Sequence, residues 1–382
     1  MTPEILNLSL LEKDLKAHKQ IVLFVGAGIN YSYKVNLLWE HLINHLFENA
    51  LVRISMGKGL DGTEYSVLRQ AFGIDSDGLS NISYNKSLHD ITEILGLSKL
   101  AAGEFPLLVK ASVIKSVLGE SYLSFIQDYI YDKCSKKIIK ESFEKCYTTD
   151  TLNSSNSNEK LFHSLYQTAR MIILCEDIKA VLTYNYDNFL SCAVSILLKD
   201  KEKYFIGKEL AIVNSRQINI KDVSGLSYED CMTRDTIFIY HVHGYIPPPS
   251  EADDLSGRNI VMSLEEYHEY SMNDLAAWQT STQLHFLSHY TCLFLGLSLS
   301  DITTQRLLHH VQKSGNMENL YQLYAYNDNR MGNSIFSKVH QTIVEMKMDF
   351  HLSYGLTPIV CTGSYEELYK SVADMVRDVA LS

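Results

Sequence analysis

The sequence predicts an α/β protein with a Rossmann-like, doubly wound, mostly parallel sheet and an inserted helical subdomain. Three observations carry this reading. Short apolar runs with strand character recur along the 382 residues, helical patterns separate most of them, and strands fade between about residues 47 and 165. Strands alternating with helices bury a parallel sheet on both faces.

Ile21–Val25 is a buried-type strand. It passes through Gly26, Ala27 and Gly28 into an apolar-periodic segment with Leu37, Leu38, Leu42 and Leu46, giving strand, glycine turn and helix. Further strands are read at Ala180–Thr183, Thr236–Tyr240, Cys292–Leu295, Tyr321–Ala325 and Pro358–Cys361, each short and rich in branched or aromatic residues. Helices are read at Leu107–Leu118 and Tyr122–Ile139 within the insertion. The expected division is therefore 1–46 with 166–382 for the sheet domain and 47–165 for the helical insertion. Two exposed loops are expected. One is the polar run Thr148–Asn158, and the other is the flap or interaction loop that Pro247, Pro248 and Pro249 open before Ser250–Gly257.

Composition narrows the function. A 46% hydrophobic, 21% charged chain is of ordinary globular type, and a net charge of −11 disfavours nucleic acid as the direct ligand. The four lysines from Lys133 to Lys140 read as a solvated helix face. The seven cysteines are scattered without any C-x-x-C pair, as expected of reduced thiols, and no metal site is predicted. Cys175 and Cys292 lie in apolar runs and are expected to pack as small hydrophobes. Charged residues precede the first apolar run, and no run is long enough to span a bilayer, so a cytoplasmic location without membrane contact is expected.

Four turns carry polar or glycine-rich residues at predicted strand ends. Gly26-Ala27-Gly28 would let backbone amides approach a pyrophosphate, although the longer G-x-G-x-x-G fingerprint fails at Tyr31. Thr183-Tyr184-Asn185-Tyr186-Asp187-Asn188 follows the second strand; Asp187 or Asn188 equally suits capping of the next helix. His241-Val242-His243-Gly244-Tyr245 and Gly296-Leu297-Ser298-Leu299-Ser300-Asp301 follow two others. A lone histidine is usually structural, but four such turns in one chain favour a shared crevice.

Together, in this order, the Gly-Ala-Gly turn, the Thr-x-Asn-x-Asp turn, the His-Gly step and the Gly-x-Ser-x-x-Asp turn resemble the sirtuin fold from about residue 20 onward. The resemblance implies that Gly26, Ala27 and Gly28 cradle the pyrophosphate of NAD, with Thr183, Asp187, Gly244, Gly296, Ser298 and Asp301 also on the cofactor. It further implies that Asn185 orients the nicotinamide ribose and the attacking water, and that His243 is the base; Asp187 would steady the Asn185 loop. Loss of nicotinamide leaves positive charge on the ribose, and an amide with a neutral imidazole can position and deprotonate the incoming oxygen.

Two departures matter. The paired cysteines of the zinc ribbon in deacylating sirtuins are missing, and Ile29-Asn30-Tyr31-Ser32-Tyr33-Lys34 replaces their usual loop. Trp39, Leu42 and Ser263-Leu264-Glu265-Glu266-Tyr267 resemble instead the sirtuin-like NAD-hydrolysing proteins of anti-phage systems, although Tyr267 and Trp278 are read as core aromatics. What this implies is an NAD glycohydrolase that depletes NAD in an infected cell. The chain would be a stand-alone effector without a fused sensor, a homo-oligomer activated with a HerA-like hexameric ATPase. A protein deacylase or ADP-ribosyltransferase, and a non-catalytic NAD-binding scaffold, are the rival expectations.

Overall fold

The computed structural model describes residues 5–32, 37–55, 106–148, 161–216, 218–224, 236–251, 255, 260–267, 278–299, 301–315, 319–326 and 335–382. In chain order, the sheet unit begins with β1 (Ile5–Leu6), α1 (Leu8–Lys16) and β2 (Ile21–Val25), followed by a 3-10 turn at Ala27–Asn30. The helices α2 (Trp39–Ser55), α3 (Leu107–Leu118) and α4 (Tyr122–Lys133) come next. The chain then forms α5 (Lys136–Cys146), α6 (His163–Leu174), β3 (Ile178–Thr183), α7 (Phe189–Lys199), α8 (Lys201–Tyr204), α9 (Gly207–Ser215), β4 (Asn219–Val223) and β5 (Thr236–His241). It finishes with α10 (Trp278–His289), β6 (Thr291–Leu295), α11 (Ile302–Ser314), β7 (Leu320–Ala325), α12 (Ile335–Ser353), β8 (Leu356–Cys361) and α13 (Tyr365–Leu381).

The eight strands form one sheet in the order β1-β8-β7-β6-β2-β3-β5-β4. All neighbours are parallel except β1, which pairs antiparallel with β8. This is the doubly wound class that the sequence predicts. Every residue of β2 and β6 is buried, which is why both read as unbroken apolar runs. Phe24 and Phe294 stack across them with ring centroids 4.8 Å apart. Each fully buried ring of this kind contributes about 2 kcal/mol by removal of apolar area from water.

The connections leave β2 in one direction toward β3, β5 and β4, and return on its other side as β6, β7 and β8. The strand order reverses at β2, and the C-terminal strand ends at such a reversal are the usual ligand position in these sheets. All four motif turns leave those ends.

The chain divides into two compact units: Met1–Asn36, Cys134–Tyr245 and Asn273–Ser382, and Leu37–Lys133 with Ile246–Met272. These limits differ from the 47–165 insertion read from sequence. The predicted helix Tyr122–Ile139 is two helices, because Ser135 interrupts it and caps α5 by accepting from the Ile138 N–H at 3.4 Å. That break is where the chain re-enters the sheet unit. There, Phe143 of α5 packs edge-on against Tyr166 of α6. Lys140 pairs with Asp200 at 3.1 Å, in keeping with a solvated helix face.

In the helical unit, Glu266 accepts hydrogen bonds from the Met262 and Ser263 N–H groups and pairs with Lys115 at 2.6 Å. The triple-proline loop is pinned at its start, since Tyr131 donates to the Ile246 carbonyl and Gln127 to the Pro247 carbonyl. Of the predicted loop Thr148–Asn158, only Thr148 lies within the described residues, and much of 250–257 lies outside them. No helix among the described residues is long and apolar enough to cross a membrane.

Candidate functional site

Backbone ladders continue past the strands and lock the four turns side by side. Gly26 donates to the Leu295 carbonyl at 2.9 Å, Tyr184 to Val25 at 3.0 Å and Val242 to Thr183 at 3.1 Å. Gly28 donates to the Gly296 carbonyl at 3.0 Å. The glycines are needed for this contact. A Cβ on Gly28 would lie 2.8 Å from Gly296 Cα, and one on Gly26 would lie 2.5 Å from Leu297 Cδ2. Gly296 itself has φ +62, which favours glycine, and a Cβ there would meet Ile29 N at 2.6 Å. The sequence reading assigned these glycines to approach by a ligand; packing of one turn on the other already demands them.

Asn185 is held by its backbone. Its N–H donates to Thr183 Oγ1 at 3.1 Å, and its carbonyl lies 2.9 Å from His241 Nδ1. Its side-chain amide is 8% exposed and has no partner among the described residues. That leaves the polar atoms of the amide open to bond a ligand at these strand ends.

Asp187 ties two turns together. Its Oδ2 accepts from Asn30 Nδ2 at 2.8 Å and its Oδ1 from the Phe189 N–H at 3.0 Å, so it both steadies the loop and caps α7. Burial pushes its pKa up to about 6, against the lowering effects of the Phe189 N–H, His241 and Asn30.

His243 is buried, and Nε2 lies 3.4 Å from Asp301 Oδ2. The Tyr184 ring meets it edge-on at 4.9 Å. Asp301 also caps α11 by accepting from the Thr303 N–H at 2.7 Å. Burial pushes the Asp301 carboxyl upward, but His243 and the Thr303 and Thr304 N–H groups outweigh this and hold it below its ordinary value. Gly244, at φ +95, closes the turn by donating to the His241 carbonyl at 3.0 Å.

The structure thus brings Gly26, Ala27, Gly28, Thr183, Asn185, Asp187, His243, Gly244, Gly296 and Asp301 to one set of strand ends, with Ser298 exposed on the last turn. Asp301, expected on the cofactor, stands beside His243. Sequence reasoning missed Asn30, Asp222 and the glutamines that brace the β6 loop. Gln305 donates to the Leu299 carbonyl at 2.7 Å and Gln322 to the Leu297 carbonyl at 3.2 Å.

Among the described residues no group of three or more His, Cys, Asp or Glu could hold a metal ion. Cys175 and Cys292 are buried as expected; burial pushes Cys175 up to about 11 and Cys292 well above its ordinary value, so neither thiol is an activated nucleophile. Cys231 lies outside the described residues.

Residues 179–359 match the family model of the SIR2-like domain, so this part of the chain is similar to that family. The match covers the Asn185, His243 and Gly296–Asp301 turns but begins after the Gly26–Asn30 turn, which the fold sets beside them. A search of curated proteins returned no match.

Proposed function

We propose that this chain binds NAD at the ends of β2, β3, β5 and β6 and hydrolyses its nicotinamide–ribose bond, giving nicotinamide and ADP-ribose. The carrying observation is the unpartnered Asn185 amide at the strand ends where His243 is paired with Asp301, inside a stretch that matches the SIR2-like domain. SIR2-like domains bind NAD.

In this reading the Asn185 amide orients the ribose and the attacking water, and His243 takes the proton from that water as the new C–O bond forms. Nicotinamide leaves with the electron pair of the broken C–N bond. Asp301 keeps a negative charge beside the imidazole, opposite in sign to the charge that the transferred proton brings. Asp187 and Asn30 brace the loop that carries Asn185.

The test is nicotinamide release from NAD alone by the parent chain, Asn185→Ala and His243→Ala, each shown folded by circular dichroism. Each variant is expected to lose on the order of a hundredfold or more. Parent-like hydrolysis by either would overturn the assignment. A requirement for an acylated or other protein acceptor would favour deacylation or ADP-ribosyl transfer instead.

Unrestrained NAD cleavage would drain the cell that makes the enzyme. We therefore also propose that activity is released on assembly, as a homo-oligomer with a HerA-like hexameric ATPase, in anti-phage defence.

A further inference from the structure

His241 has no exposed surface, lies two residues before His243, and has no place in the chemistry above. The sheet ends at His241, so the strand alternation that would turn both imidazoles the same way stops there. His243 meets Asp301 beyond β6, whereas His241 sits between the β3 turn and β4. Its Nδ1 is 2.9 Å from the Asn185 carbonyl and its Nε2 is 2.9 Å from Asp222 Oδ1. A carbonyl only accepts, so Nδ1 carries hydrogen and donates to Asn185, while Nε2 faces Asp222. The other Asp222 oxygen lies 2.5 Å from Ser191 Oγ, and Ser191 also reaches the Asn188 carbonyl at 2.9 Å. The Tyr245 ring covers the imidazole with centroids 4.6 Å apart.

We infer that His241, oriented by Asp222, is a positioning residue that fixes the Asn185 peptide by a buried Nδ1–H···O=C bond and so aims the Asn185 amide. Backbone at the end of β3 has no further strand to pair with past Tyr184, so its carbonyl needs a side-chain donor. Histidine supplies the donor, and Asp222, 2.9 Å from Nε2, holds the ring in place from its other side. The same chain of contacts runs through Ser191 into the first turn of α7, so the Asn185 loop is held at both ends. This inference rests on the NAD reading for its kinetic consequence, but its structural content does not.

The experiment compares the full chain with His241→Phe, His241→Asn and Asp222→Ala, all checked for native melting. The amide of His241→Asn places an N–H near the position of Nδ1. His241→Phe is expected to lower kcat for nicotinamide release about tenfold or more with KM within about threefold of the parent, because a displaced group costs rate more than affinity. His241→Asn is expected to recover most of that loss, and Asp222→Ala to fall between the two. Parent-like kcat in His241→Phe, or a folded His241→Asn as slow as His241→Phe, would overturn the proposal.

Hydrogen exchange of amides 184–189 is measured on the same proteins without NAD. Exchange about tenfold faster in His241→Phe, restored in His241→Asn, is expected. Unchanged exchange overturns the positioning role whatever the kinetics show. If the parent releases no nicotinamide, the NAD reading fails, and the exchange measurement alone decides for or against the role of His241.

Discussion

Asp187→Asn removes a titrating group from a buried junction while leaving its hydrogen bonds attainable. The parent carboxyl rises from 3.8 to about 6 in the folded chain, chiefly because burial penalises the charged form. That rise corresponds to about 3 kcal/mol between protonation states. The folded state holds this proton more tightly than the unfolded chain does. The contribution is therefore present in full below about pH 4 and lost as pH rises through about 6. The replacement amide accepts from the Phe189 N–H through its oxygen and donates through its nitrogen to Asn30 Oδ1, a buried atom with no partner in the parent, once the Asn30 amide turns over. Urea unfolding of parent and variant at about pH 4 and about pH 7.5 reads the effect as a difference of differences. The variant should gain on the order of 2–3 kcal/mol relative to the parent on going from acid to neutral pH. A difference constant within about 0.5 kcal/mol, or one that moves the other way, would refute the claim that burial governs this carboxyl.

Gly28→Ala places a methyl 2.8 Å from the backbone of Gly296, which a flexible side chain cannot relieve, so a loss of about 1–3 kcal/mol is expected by thermal or urea unfolding. Asp301→Asn keeps an N-cap oxygen on the Thr303 N–H but removes the charge beside His243; nicotinamide release should drop about tenfold with melting nearly unchanged. Asp301→Ala should cost about 1 kcal/mol of stability in addition. Nicotinamide release by the purified chain should rise by tens of fold when a HerA-like ATPase is added at matched concentration, and equal rapid turnover in both samples would count against release on assembly.

Strands buried on both faces were legible because burial forces an unbroken apolar run, as in β2 and β6. By contrast, β4 reads Asn-Ile-Lys-Asp-Val, an edge strand with alternate residues exposed, and β1 is two residues paired only with β8. Neither pattern rises above that of a loop. The Tyr122–Ile139 run kept helical periodicity across a break, and only the N-cap geometry of Ser135 reveals it. At the site, Asn185 and His243 could be read from their turns because residue type and strand end coincide. Asp222 could not, because it acts across the β4–β5 pairing, and that pairing requires β4 to be known. Asn30 was in plain sight beside Gly28, but its role depends on a partner 157 residues away.

The charge distribution bears on what these strand ends can hold. The stretches Gly26–Asn30, Thr183–Asn188, His241–Tyr245 and Gly296–Asp301 contain no lysine or arginine, so under the proposed reading neither residue type within the turns would answer the two phosphates of NAD. Their recognition there would fall to hydroxyls and to backbone N–H groups other than those of Gly26 and Gly28, which already donate to the Leu295 and Gly296 carbonyls. The carboxylates act on the opposite charge. Asp301 stays ionised well below neutrality, while Asp187 reaches full charge only as pH passes about 6. Bond cleavage creates positive charge at the ribose, and negative groups held on rigid strand ends favour that state over the neutral ribosyl link that precedes it. Lysines in these turns would tighten phosphate binding but work against the developing cation, so under the proposed reading the turns as they stand suit bond breaking more than retention of the intact dinucleotide.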